Sequence, residues 1–245
     1  QSNSKTMRKI SLKTIGAVAV AALSTVSALA ATTGFNQTGA GPYDYNDTAN
    51  WVGSSINGIW DTSLALTAGQ TVTFAAPTTL STGLTFNYGG NFALTNQASA
   101  AGTQNLTLGG DVSLNTGGGT TANVTIGNSA NHLNVDLGGA NRTFTVAASR
   151  TLTLVDVLSG SGFGITNAGT GTLALNGANT YDGGTTLNAG AINFGNNAAF
   201  GTGAITANGG TIKNTAGVTT TNNLVVNSAS TLDVTGGNWT FNGNI

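Results

Sequence analysis

Cysteine and glutamate are absent from this sequence, and charged residues make up only 6% of its 245 positions. Without cysteine, neither disulfide bonds nor thiolate metal sites hold the fold together. His132 is the one imidazole that a Ser-His-Asp triad or a zinc site could use. No nucleophile motif surrounds it and zinc needs three or four ligands, so we interpret His132 as a solvated turn residue. We therefore predict no catalytic, cofactor-binding or metal-binding residues, and we do not expect an enzyme.

Basic residues are also scarce, which limits the partners of the chain. Four of the seven lie within the first 13 residues, and only Arg142, Arg150 and Lys213 follow, against eight aspartates. A surface this poor in positive charge cannot neutralise phosphate groups, so nucleic acid is excluded as a partner. Binding to anionic membrane surfaces is disfavoured for the same reason.

The N-terminal residues have the pattern of an export signal. Residues 1–6 precede Met7 and are interpreted as read-through or expression-derived sequence. Within residues 7–30, basic residues precede a short apolar run that ends in a small-residue cleavage pattern, Ala28-Leu29-Ala30. We predict a cleaved signal peptide at 7–30 and a protein that leaves the cytoplasm. An uncleaved anchor is the alternative, which the short apolar run disfavours.

From Phe74 onward, apolar residues recur at intervals near 20 residues. One ladder runs through Phe74, Leu94, Leu114, Leu133, Leu152, Leu173, Ile192, Ile212 and Leu232. A second runs through Phe86, Leu106, Ile126, Val146, Ile165, Leu187, Ile205, Val225 and Phe241. Such a period without helical periodicity is typical of a stacked solenoid, whose corner asparagines are expected to stack along its axis. We predict an all-β, right-handed parallel β-helix over residues 74–245, with nine to ten coils of about 20 residues.

Residues 31–73 differ in composition from the repeats and are predicted to form an N-terminal cap. They contain the densest group of aromatic side chains, namely Phe35, Tyr43, Tyr45, Trp51 and Trp60. Terminal units of solenoids are commonly atypical because one of their faces lacks a neighbour. A sugar-binding aromatic patch is the alternative interpretation. Calcium binding by Asp44, Asp47 and Asp61 was weighed as well, but the known calcium-loop motifs are absent, so no metal site is predicted.

The stretch from Gly169 to Ile212 combines short alternating runs with corners rich in glycine and asparagine. It resembles the autotransporter-associated β-strand repeat, also called the passenger-associated transport repeat. The matching residues are Gly169, Gly171, Leu173, Leu175, Gly177, Asn179-Thr180-Tyr181, Gly183-Gly184-Thr185, Leu187, Gly190 and Ile192. The resemblance implies a secreted β-solenoid passenger without an active site. It also implies that the corner at Tyr181 and Asp182 is structural and has no binding role.

A secreted polysaccharide-active or polysaccharide-binding β-helix is the main alternative, because lyases and glycosidases also use this fold. A glycosidase needs two opposed carboxylates, whereas the aspartates here are widely scattered. Charges come closest together at Arg142 and Arg150, which Asp136 and Asp156 flank in the sequence. We interpret these four residues as solvated coil surface with weak ion pairs.

The chain is therefore interpreted as a non-enzymatic stalk or adhesin of an autotransporter-like protein, secreted or displayed on the surface of a Gram-negative bacterium. The resemblance implies that the chain crosses the outer membrane unfolded and folds outside, each coil templating the next. Expected partners are host or matrix polysaccharide or protein, and a second copy through end-to-end association at the C-terminal coil. Contact with the outer membrane is expected only through a C-terminal translocator after residue 245.

Overall fold

The computed structural model describes residues 43–44, 70–74, 77–80, 83–86, 91–96, 103–115 and 123–245. These residues belong to one compact unit, Thr32–Ile245. The regular elements among them are short β-strands, and none of these residues is helical. The predicted signal peptide at 7–30 and most of the predicted cap at 31–73 lie outside the described residues.

Most of the strands belong to two long parallel sheets. Sheet I consists, in spatial order, of β1 (Tyr43–Asp44), β2 (Gln70–Phe74), β5 (Phe92–Asn96), β8 (Val124–Ile126), β11 (Thr151–Leu154), β14 (Thr172–Leu175), β16 (Ala191–Phe194), β18 (Thr211–Asn214) and β21 (Thr231–Asp233). Sheet II consists of β4 (Leu84–Phe86), β7 (Val112–Leu114), β10 (Arg142–Val146), β13 (Ile165–Asn167), β15 (Thr185–Leu187), β17 (Ile205–Ala207) and β20 (Leu224–Val226).

Two smaller parallel sheets occupy the third side. Sheet III consists of β3 (Thr78–Thr79), β6 (Gln104–Thr107), β9 (Leu133–Asp136) and β12 (Leu158–Ser159). Sheet IV consists of β19 (Val218–Thr220) and β22 (Trp239–Phe241). From β2 to β14 the chain cycles through sheet I, sheet III and sheet II, and then returns to sheet I one strand further along. The predicted parallel β-helix is thereby confirmed.

The core forms because alternate side chains of each strand face the interior of the coil. Leu152, Leu173, Ile192 and Ile212 occupy paired positions on successive strands of sheet I and are fully buried. Each such side chain stabilises the fold by roughly 1.5–3 kcal/mol. One coil buries too few of them to offset the cost of ordering its backbone, so neighbouring coils stabilise each other. This stack confirms the second half of the first predicted ladder.

The first half of that ladder is wrong. Leu94 pairs with Ile126 rather than with Leu114, while Leu114 lies in sheet II and Leu133 in sheet III. The second ladder mixes sheets in the same way, since Leu106 lies in sheet III and Ile126 in sheet I. Its later members Ile165, Leu187 and Ile205 are buried on sheet II, but successive ones are two positions out of register.

Coil length explains these errors. The Thr143 N–H donates to Asp111 Oδ1 across one coil step of 32 residues, and the Thr151 N–H donates to Asn123 Oδ1 across 28. Further along, the contacts Asn208–Asn188 and Lys213–Asp233 each span 20 residues. The extra residues lie in connections such as the one between β7 and β8. A uniform period of about 20 residues is therefore wrong for the two coils between Phe92 and Leu152.

Candidate functional site: the corners of the repeat coils

The glycines of the repeat lie where backbones of successive coils come too close for a side chain. A Cβ atom on Gly183 would lie 2.5 Å from the backbone nitrogen of Gly164, and one on Gly203 would lie 2.3 Å from that of Gly184. Real Cβ atoms essentially never approach backbone so closely. These glycines form one column along the axis at the corner that leads into sheet II.

A second glycine column lies at the corner between sheets II and I. Gly190 and Gly210 adopt φ angles of +67° and +78°. A Cβ on Gly190 would lie 2.3 Å from the Gly171 carbonyl oxygen, and one on Gly210 would lie 2.5 Å from that of Gly190. Both the left-handed backbone and the close approach require glycine here. The spacing of glycines in the motif therefore records two corners of one coil.

Asn179 closes sheet III at its last strand. The Leu158 N–H in β12 donates to Asn179 Oδ1 at 2.8 Å, and the Thr180 N–H donates to the Leu158 carbonyl at 2.9 Å. On the side of the next coil, Asn179 Nδ2 donates to the Ala199 carbonyl at 2.6 Å. The side chain is 3% exposed. Asn179 therefore replaces a further sheet III strand, and the third side becomes an irregular corner until sheet IV begins at β19.

Tyr181 fills the interior behind this corner. Its side chain is fully buried, and its hydroxyl lies 2.5 Å from Thr185 Oγ1 and 3.4 Å from the Ala199 carbonyl oxygen. Burial raises the pKa of the Tyr181 hydroxyl, and the hydrogen bond with Thr185 only partly opposes this shift. A neutral, enclosed phenol suits packing rather than catalysis. Its neighbour Asp182 accepts hydrogen bonds from the Gly162 N–H and the Ser161 hydroxyl of the preceding coil.

Asparagines also stack along the axis, as the sequence predicted. Asn208 Nδ2 donates to Asn188 Oδ1 and Asn227 Nδ2 donates to Asn208 Oδ1, both at 2.8 Å. Inside the core, Asn167 and Asn222 each donate two hydrogen bonds to corner carbonyls. These interior amides were not anticipated, because an asparagine in an alternating run gives no signal of which face it occupies.

His132 lies at a corner, as predicted, but it has a partner that the sequence did not indicate. Its Nδ1 lies 2.5 Å from Asp156 Oδ1 in the next coil, and Asp156 Oδ2 also accepts from the Leu133 N–H at 2.9 Å. The histidine side chain is 51% exposed, whereas that of Asp156 is 7% exposed. Within the described part of the chain, no serine or threonine hydroxyl bonds to His132, so the pair has no nucleophile.

The interpretation of Arg142 and Arg150 as solvated surface is wrong. Arg142 is 8% exposed and Arg150 is 4% exposed. Arg142 Nε donates to the Leu137 carbonyl and its Nη2 to the Leu108 carbonyl, both at 2.6 Å. An arginine at the start of a strand thus satisfies carbonyls of two coils that their own turns leave open. Neither side chain of the flanking aspartates pairs with Arg142: that of Asp136 bonds Gly138 N–H and Ser159.

The remaining predicted positions gather no further site. Among the residues that the structure describes, no group of three His, Asp or similar ligands could hold a metal ion. Asp47 and Asp61 lie outside those residues, whereas Asp44 lies in β1, which pairs with β2. The same described ranges contain no helix of the length and apolarity that a membrane span requires.

Comparison with known proteins identifies one segment of the chain. No curated protein and no solved structure matches it. Residues 165–193 match the family model of the passenger-associated-transport-repeat. The matched range begins with β13 and includes Asn179, Tyr181 and the glycines of both columns up to Gly190. This repeat is typical of autotransporter passengers, which are secreted or surface-associated proteins of Gram-negative bacteria. The chain is therefore a passenger-type β-solenoid that carries a passenger-associated-transport-repeat at residues 165–193.

Proposed function

We propose that this protein is a non-enzymatic stalk or adhesive surface of an autotransporter-like passenger. The observation that carries the proposal is the continuous inward stack of sheet I, from Leu152 through Leu173 and Ile192 to Ile212. Its interior is filled by side chains that pack coil on coil. What the fold offers to partners is therefore its outer surface, which suits display and adhesion.

The use of the polar side chains supports the absence of catalysis. Arg142 binds backbone carbonyls, Asp111 accepts from the Thr143 N–H, and Asp156 holds His132 and the Leu133 N–H. These groups satisfy the backbone at coil corners. A hydrolase or lyase needs acids and bases that face a substrate instead.

A substrate screen tests the proposal against its main alternative. The full chain is incubated with pectate, alginate and xylan in the presence of calcium, and the release of reducing or unsaturated ends is measured. We expect no turnover. Turnover that disappears in Asp136→Asn or Asp156→Asn would establish the carbohydrate-active alternative and overturn the proposal.

Export is proposed on the pattern of residues 7–30 and on the localisation typical of the repeat. Mass spectrometry of protein recovered from the periplasm or medium of a Gram-negative host tests it. We expect the N-terminus to follow Ala30. An intact N-terminus on protein that stays in the cytoplasm would contradict export.

A further inference from the structure

The outer face of sheet II carries a column of threonines in exact register. Thr143, Thr166, Thr186 and Thr206 are paired neighbours on β10, β13, β15 and β17. Each flanks buried side chains on its own strand and is itself half-buried. Because paired strands lie about 4.8 Å apart, the column repeats a hydroxyl and a methyl group once per coil.

A column of asparagines runs beside the threonines. Asn188, Asn208 and Asn227 are exposed, and each follows by two positions the outward-facing residue of β15, β17 or β20. The hydrogen bonds between them run along the axis. The Asn208 amide uses one N–H and one oxygen lone pair in this ladder, so a second N–H and a second lone pair stay available for a ligand. The column thus offers both donors and acceptors at each coil.

Both columns are free of charge, and this distinguishes sheet II from sheet I. From Thr143 to Asn227 the two columns contain only Thr, Ala, Asn and Val at their outward positions. The equivalent outer column of sheet I contains Lys213 and Asp233, which form an ion pair at 2.8 Å. A long uncharged face with repeated hydroxyl and amide groups complements a neutral polymer with repeated hydroxyls.

We propose that the outer face of sheet II binds an extended, neutral, β-linked polysaccharide that lies along the axis with one sugar per coil. An extended β-1,4-linked hexose chain advances per sugar by nearly the distance that separates two paired strands. Its hydroxyls on one edge therefore meet the threonine column, and those on the other edge meet the asparagine column, about 6.6 Å away across the strand. This inference rests on the adhesive role proposed above and names the chemistry of its ligand.

Isothermal titration of the full chain with cello-oligosaccharides tests the proposal. We expect cellotetraose to bind about tenfold more tightly than cellobiose, because each added sugar gains hydrogen bonds from one more coil. Affinity should be unchanged by added salt, since the face carries no charge. Isomaltotetraose, an α-1,6-linked glucan whose advance per sugar does not fit the columns, should not bind, and neither should charged oligogalacturonate.

Matched variants place the ligand on sheet II. Thr186→Val and Thr206→Val keep side-chain shape but remove a hydroxyl, and each should weaken cellotetraose binding about threefold to tenfold. Thr153→Val and Thr172→Val make the same change on half-buried outer positions of sheet I and should leave affinity unchanged. Thermal unfolding of all four variants establishes that the fold is retained.

The outcomes separate this inference from the proposed function. No binding of cellotetraose at millimolar concentration, equal binding of isomaltotetraose, or equal losses in the sheet I variants would each overturn the sheet II site. None of these results would alter the absence of catalysis or the export that the proposed function requires. Conversely, turnover of cellotetraose would overturn the proposed function.

Discussion

The two long coils between Phe92 and Leu152 and the short coils that follow share the same two sheets but stabilise their corners differently. In the long coils, side chains bond backbone groups across the coil step: Asn91 accepts from the Asn123 N–H, and Asn123 from the Thr151 N–H. In the short coils, glycines let one backbone rest directly on the next, as Gly190 does on Gly171. Long connections are tolerated because loop closure costs little more for each added residue.

This difference explains why a specific motif occurs in only one region. A side-chain bond to a corner N–H can come from Asn or Asp at several positions, so the long coils carry no fixed pattern. A direct backbone contact accepts only glycine, and it must recur at the same places in each coil. The short coils therefore conform to a family pattern, and the long coils do not.

The largest effect is expected where the two regions are alike, in the stacked core. Leu173→Asp places an unpaired charge between Leu152 and Ile192 and should lower the free energy of unfolding by about 3–5 kcal/mol or unfold the chain. Thr172→Asp, on the outer face of the same strand, should change it by less than about 0.5 kcal/mol. Thermal unfolding followed by circular dichroism measures both. Equal losses would mean that the inward register of β14 is wrong.

A pair of glycine substitutions tests the difference between the regions. Gly139, in the long coils, has a φ of +78° and no atom within 4 Å of an added Cβ, whereas Gly190 has a similar φ with a carbonyl oxygen at 2.3 Å. Gly139→Ala should cost about 1–2 kcal/mol from backbone conformation alone. Gly190→Ala adds the clash and should cost about 2–5 kcal/mol. Denaturant unfolding that gave equal costs would contradict the backbone contact.

The register of the short coils could be predicted from the sequence, but that of the long coils could not. Leu152, Leu173, Ile192 and Ile212 were placed correctly because their coils are nearly equal in length. Leu114 was misplaced because alternating strands look alike in all three sides, and nothing in the sequence marks where a loop has lengthened. A period imposed on both regions therefore assigned it to the wrong sheet.

Corner chemistry was predicted only in part. The asparagine ladder and the corner position of His132 followed from residue type. The burial of Arg142 did not, because it depends on carbonyls of Leu108 and Leu137 that only the coiled chain brings together. The role of Asn179 was hidden for the same reason, since its partner Leu158 lies 21 residues away.

Asn179 offers a smaller test, at the point where the third side changes. Asn179→Ala leaves the Leu158 N–H and the Ala199 carbonyl unsatisfied and should cost about 1–3 kcal/mol. Asn179→Asp keeps the acceptor for Leu158 and should cost less. Hydrogen exchange at Leu158 distinguishes the two, with faster exchange expected in the alanine variant alone. Equal exchange in both would contradict the closing role of Asn179.

The smallest effect is expected at Asp233. The hydrogen bond from Lys213, with further bonds from Thr235, holds the pKa of the Asp233 carboxyl below its ordinary value. A carboxyl with a lowered native pKa stabilises the folded state above its unfolded pKa of about 4, and this contribution falls as the pH drops toward the native pKa. We expect the melting temperature to exceed that of Asp233→Asn slightly near neutral pH and to converge with it in strong acid. A difference that did not change with pH would contradict this.

Disulfide trapping tests the central claim, the change of coil length, most directly. The chain contains no cysteine, so two introduced cysteines can pair only with each other within a molecule. Ala93 and Thr125 are paired on β5 and β8, at a separation that a disulfide can span, whereas Ser113 occupies the position that a uniform 20-residue period would place beside Ala93. Oxidation of Ala93→Cys/Thr125→Cys should give an intramolecular disulfide with native stability, and Ala93→Cys/Ser113→Cys should stay reduced. A disulfide in the second variant and none in the first would contradict the long coil.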